Sequence, residues 1–189
     1  MAFATIDVTK GITGTIPVAN GGTGIASGTT GQFLKFTGST TVASAAVSAG
    51  ITEADMWRVT SGFSSTTDPI ANNWERVDDT GFNKIGTGMS QSSGIFTFPS
   101  TGIYKITFAV SVYKNGDDRT ITKRVYTTIN NNTYTELSSA DTSVSGVQSN
   151  NTHTSGFNEI YFDVTDTSNC KIKFAYYTNN SSTYYTTSS

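Results

Sequence analysis

The residues most able to do chemistry in this chain of 189 are few: one histidine, His153, and one cysteine, Cys170. His153 lies in the polar run SNNTHTSG, which reads as an exposed loop. Nothing near it builds the oriented base of a Ser-His-Asp assembly. Cys170 alternates with Ile172 and Phe174, so it reads as a small core residue rather than a reactive thiol. The Cys/His spacing of a metal site is absent. Two acidic pairs, Asp78-Asp79 and Asp117-Asp118, lack the D-x-D-x-D-G pattern of a calcium loop. The second pair, in KNGDDR, reads as a hairpin tip beside Arg119. The expectation is a chain that is no enzyme and carries no cofactor and no metal.

The elements that would hold these residues follow from composition. Charged residues make up 14% of the chain and aromatic residues 12%, while serine and threonine together number 57. Disordered chains have few rings and high net charge, so this composition argues for folding. Threonine, tyrosine and phenylalanine favour strands, and the strong helix formers are scarce. The prior is all-β. A net charge of −2 with scattered Lys and Arg gives no basic stripe for nucleic acid. No apolar run reaches the roughly 20 residues of a membrane span. The start MAFATIDVTKG has neither a basic leader nor an apolar core, so no secretory signal is expected.

The chain reads as two textures, residues 1–55 and 56–189. The first is a short, extended, glycine-punctuated arm whose large apolar residues include Phe3, Ile6, Ile12 and Ile16. So thin a set cannot form a core alone, and these four are expected to dock on a partner. Within the arm, TGQFLKFTGSTTV reads as a hairpin, and residues 42–49 read as a short helix closed by Gly50. Beyond Met56, period-two alternation recurs. In GIYKITFAVSVY, Tyr104, Ile106, Phe108, Val110 and Val112 share a face. In TITKRVYTTI, Ile121, Val125 and Ile129 share a side. NEIYFDVTD aligns Ile160, Phe162 and Val164, and NCKIKFAYYT aligns Cys170, Ile172, Phe174 and Tyr176. Such strands, joined by polar turns, predict an antiparallel sandwich.

Two stretches resemble known families. The run SGIFTFPSTGIYKITFAVSV is similar to the central signature of the C1q-like head, a relative of the tumour-necrosis-factor jelly roll. Its matching positions are Gly94, Phe96, Pro99, Gly102, Tyr104 and Phe108. The closing pattern FNEIYFDVTDTSNCKIKFAYYT is similar to that family's last strands. At the other end, GTIPVANGGTG resembles a segment of bacteriophage tail-fibre and other appendage proteins. The combination looks like a phage fibre or spike, and a capsid head fibre or decoration protein is the alternative. A small surface-polysaccharide hydrolase is the reading from another class. It needs two carboxylates across a groove, and depolymerising spikes usually carry longer repetitive β-structure.

The resemblance implies a homotrimer exposed on the virion surface after synthesis in the host cytoplasm. It also implies an arm docked on other virion proteins of tail or capsid, and a head that meets a host-surface glycan or protein. Tyr161 and Tyr177 lie opposite the core positions of their strands and are expected at the trimer interface, because a solvated sheet face should be polar. The loops NNNTYTEL, SVSGVQSNNTHTSG and TNNSSTYYTT combine tyrosine with small polar residues, as adaptable recognition surfaces do. Tyr134, His153, Tyr184 and Tyr185 are therefore expected to face a receptor. No membrane insertion is expected.

Overall fold

A computed structural model of the chain describes residues 28–39, 41–46, 50–146, 150–180 and 183–185. Phe3, Ile6, Ile12 and Ile16 lie outside the described residues. The chain divides into two units, Met1–Gly50 and Ile51–Ser189.

The described part of the first unit is the expected hairpin. Strand β1 (Phe33–Phe36) runs antiparallel to β2 (Val42–Ala45), with Phe33 opposite Ala45 and Phe36 opposite Val42. The helix expected over 42–49 is therefore corrected to a strand over its first half. Eight residues are too few to sustain an isolated helix, whereas β1 offers Val42–Ala45 a ready ladder. Residues 47–49 are outside the described set. Phe33, Leu34 and Phe36 are all exposed within this unit.

The second unit opens with two carboxylates that tie its entry segment down. Glu53 accepts the amides of Thr87 (3.2 Å) and Gly88 (3.0 Å). Asp55 accepts the Met89 amide (2.8 Å), the Trp57 indole N–H (3.0 Å) and the Arg76 guanidinium (2.9 and 3.2 Å). Both carboxylates lie in a stretch that the sequence pattern leaves in the arm.

Ten strands follow: β3 (Trp57–Val59), β4 (Trp74–Arg76), β5 (Ser90–Ser92), β6 (Ile95–Thr97), β7 (Gly102–Asn115), β8 (Asp118–Thr128), β9 (Thr135–Val144), β10 (Asn151–Val164), β11 (Lys171–Thr178) and β12 (Tyr184–Tyr185). All pairings are antiparallel. One sheet has the order β10-β7-β12, a second the order β5-β6-β11-β8-β9, and β3 pairs with β4. Among the described residues there is no helix, and the protein is all-β.

The two larger sheets share one core. Phe108, Val110, Val112, Ile160, Phe162 and Val164 from the first meet Phe96, Ile121, Val125, Ile172, Phe174 and Tyr176 from the second. Apart from Phe96, these are positions that alternation assigns inward, and one assigned position lies outside the core. Ile129 falls just past the end of β8 and is 72% exposed, so it does not share the core side of Ile121 and Val125. The inward position between them is Lys123. Trp57 and Trp74 of the β3–β4 ribbon set their rings edge-on to Phe96 (5.5 and 5.0 Å).

The β5–β6 hairpin shows how local sequence sets register. Ser92 pairs with Ile95, leaving Ser93 and Gly94 as a two-residue turn with φ of 50° and 78°. Both central residues at positive φ is the hairpin turn that matches strand twist. A side chain at Gly94 would also strike the Ile70 carbonyl.

Candidate binding surfaces

Each large sheet has a face turned away from the core, and the two faces differ. On the β10-β7-β12 sheet the outward positions of β7 are Ile103, Lys105, Thr107, Ala109, Ser111 and Tyr113. Those of β10 are His153, Ser155, Phe157, Glu159, Tyr161 and Asp163. Register sets Tyr161 opposite Lys105, Phe157 opposite Ala109 and His153 opposite Tyr113. Ile103, Phe157 and Tyr161 are 75%, 65% and 65% exposed. The charges between them neutralise each other, because Lys105 Nζ lies 2.9 Å from Glu159 Oε2. At one end, β12 brings Tyr184 opposite Tyr113, so three adjacent strands carry three rings in a row. The Tyr113 centroid is 5.3 Å from that of His153 and 5.4 Å from that of Tyr184.

The outward face of the five-stranded sheet has rings too, but they are engaged. Arg124 and Tyr126 of β8 stand beside Lys173 and Tyr177 of β11. The Tyr177 hydroxyl donates to Asp68 Oδ2 (2.5 Å) and lies 3.2 Å from the Tyr126 hydroxyl. Tyr177 has one proton and gives it to Asp68, so Tyr126 donates to Tyr177, and Arg124 Nη1 donates to Tyr126 (3.3 Å). Lys173 Nζ completes the carboxylate at 2.7 Å. The chain of donors thus ends on an acceptor-only group.

Cations cover the ring faces as well. The Arg124 guanidinium sits 4.5 Å from the Tyr177 centroid, and Lys173 Nζ sits 4.8 and 5.3 Å from those of Tyr126 and Tyr134. The titration behaviour follows. Burial, then the bond to Asp68, pushes the Tyr177 phenol well above its ordinary range. For Asp68, burial pushes upward, but the hydrogen bonds from Lys173 and Tyr177 outweigh it and hold the carboxyl below its ordinary value. Asp68 is itself fixed by its neighbours: Thr67 exchanges two backbone bonds with Tyr176 (2.8 and 2.9 Å), and the Ile70 amide donates to the Phe174 carbonyl.

Two ionisable groups sit inside. Lys123 is 1% exposed, its amine occupying the space a side chain at Gly156 would need. Desolvation lowers its pKa. Asp118 is 3% exposed and accepts the hydroxyls of Thr178 and Thr183. It is thus no exposed hairpin tip beside Arg119, though NGDD does form the turn between β7 and β8. Asp117 accepts the Gly146 amide (3.0 Å), and Asp79 accepts from Arg58 (3.2 Å). Among the described residues no three His, Cys, Asp or Glu side chains converge as metal ligands. Cys170 is free and fully buried.

The expected site residues scatter. Tyr161 and Tyr177 are not on one face: the first is bare on the three-stranded sheet, the second bonded on the five-stranded sheet. His153, Tyr184 and Tyr185 are not in loops but in β10 and β12. The polar run around His153 pairs with the last part of β7, from Asn151 opposite Asn115 to Gly156 opposite Val110, and that ladder overrides its loop-like composition. Tyr184 faces out, whereas Tyr185 turns inward, partly buried, and stacks on Phe63 (4.9 Å, 5° between planes). Tyr134 alone remains in a loop, half-buried beside Lys173. Alternation could have flagged Ile103 and Phe157, which stand opposite the core set. Asp68 gave no such signal, because a contact across 109 residues has no local signature. Compared with known protein families and with characterised proteins, the chain matches none.

Proposed function

We propose that this chain is a bacteriophage virion protein, a trimeric fibre or spike whose arm docks on the particle and whose C1q-like jelly-roll head attaches to the host surface. The observation that carries the reading is the outer face of the β10-β7-β12 sheet. Ile103, Phe157 and Tyr161 stand largely bare there, and its Lys105–Glu159 pair leaves the middle of the face without net charge. Exposed apolar side chains on one face mark interaction sites, and of the outward charged side chains named there only Asp163, opposite Ile103 at the end of the face, lies outside that pair. The β1–β2 hairpin adds support. A lone two-stranded hairpin is marginal in water, and this one exposes Phe33, Leu34 and Phe36 within its unit, as suits an arm held by neighbours.

The role is structural and binding rather than catalytic. Low charge and engaged carboxylates favour that reading over a hydrolase. The test is to image virions with labelled antibody against residues 56–189. Label at the tail supports attachment, label over the capsid points to the decoration alternative, and no label sinks both. Isolated chain that leaves phage adsorption unchanged at saturation is not the dominant receptor binder.

A further inference from the structure

On the reading that the β10-β7-β12 face joins copies of this chain, we infer that His153 makes the assembly acid-labile. Histidine is the side chain whose charge ordinarily changes between pH 5 and 8, and this sequence has one. The structure sets it on that face, exposed and in register with Tyr113, which is itself in register with Tyr184.

Among the described residues no counter-charge on that face stands near it. Along β10 the outward carboxylates are Glu159 and Asp163, six and ten residues away, about 20 and 33 Å at roughly 3.3 Å per residue. Both exceed the screening length of about 8 Å at physiological salt. Glu159 is already paired with Lys105. On the neighbouring strands, Lys114 of β7 is 4% exposed and faces the other way, Asp117 in the adjoining turn is bonded to the Gly146 amide, and β12 carries only Tyr184 and Tyr185. A cation formed at His153 is solvated in the separate chain. Covered by a second copy, it is desolvated without a carboxylate of its own face to offset the cost. Copies arranged about a common axis would add like-charge repulsion. Attraction to the Tyr113 ring acts in the separate and the assembled chain alike.

The test is sedimentation velocity of the full chain at pH 7.5 and pH 5.5, beside His153→Gln, which keeps a polar side chain without the charge. Circular dichroism at both pH values checks that each protein stays folded. We expect association of the parent chain to weaken at least tenfold at pH 5.5, and that of His153→Gln to stay the same. Equal responses of the two proteins, no response, or tighter association in acid overturn the inference. The last outcome would mean that a second copy brings a carboxylate such as Asp163 against His153. A chain that is monomeric at both pH values and high concentration instead sinks the self-association reading, and this inference with it.

Discussion

The outer faces of the two large sheets use the same vocabulary and leave it in different states. On the five-stranded sheet, Tyr126, Tyr177, Arg124 and Lys173 bond one another and end on Asp68. On the three-stranded sheet, Tyr161 and Phe157 stand 65% exposed and Ile103 75%. Both faces alternate correctly with the core, so alternation does not explain the difference. What separates them is an extra layer: the segment around Asp68 runs along β11 and supplies a carboxylate, and nothing equivalent covers β7 and β10 among the described residues. A ring on a sheet's outer side is therefore no sign of an interface by itself. The informative ring is one without a partner, which is why Tyr161 and Tyr177, equivalent by pattern, separate in the structure.

The largest effect should come from charging the bare face. Ile103→Lys puts a cation where a second copy would pack, and we expect self-association to weaken by at least a hundredfold, about 2.7 kcal/mol. The melting temperature should hardly move, because the residue is 75% exposed. Sedimentation and thermal unfolding check the two halves. Unchanged association would show the bare face to be merely surface.

Asp68→Ala should do the reverse. It strips the acceptor from Tyr177 and Lys173, and loss of hydrogen bonds to a charged group costs about 2 kcal/mol of folding stability, with association at neutral pH retained. The same carboxylate predicts an acid dependence. Its folded-state pKa lies below its ordinary value, so its contribution is fully present above the unfolded value of about 3.9 and fades as pH falls through the folded one. Denaturant unfolding between pH 5 and pH 2.5 should therefore show a smaller acid loss for Asp68→Ala than for the parent chain.

Much of the sandwich was legible because its strands are long and strictly alternating. Every core residue of β7, β10 and β11 named from period two is inward or half-buried in the structure. Legibility failed where composition competed with pairing. Residues 42–45 are small and look helical, yet β1 lies close enough to ladder with them. The stretch around His153 looks like a loop, yet β7 is long enough to pair with it. It failed again for Lys123, a lysine at an inward position that only the missing side chain of Gly156 on another strand allows. The polar lattice on the five-stranded sheet was hidden because Asp68 reaches Lys173 and Tyr177 across more than a hundred residues. Local pattern reports which face a residue takes, and long-range contact decides whether that face is finished.

The smallest effect gives the sharpest contrast, because one substitution can be made on both faces. Removing the hydroxyl of Tyr177 by Tyr177→Phe deletes a donor to a carboxylate and leaves Tyr126 without its acceptor. We expect a loss of about 1.5 kcal/mol. Tyr161→Phe removes a hydroxyl that is bonded to no neighbour among the described residues, and its cost should stay within about 0.5 kcal/mol. A spectroscopic titration at 295 nm adds an independent reading. Tyr177 titrates above the ordinary tyrosine range, and a folded-state pKa raised this way confers stability that is complete below about pH 10 and lost as pH climbs. Tyr177→Phe should therefore remove one late-ionising phenol and flatten the alkaline loss of stability. Tyr161→Phe tests the other half through stability. If the two substitutions cost the same, the engaged and bare faces are equivalent after all, and the assignment of the three-stranded sheet to self-association loses its physical basis.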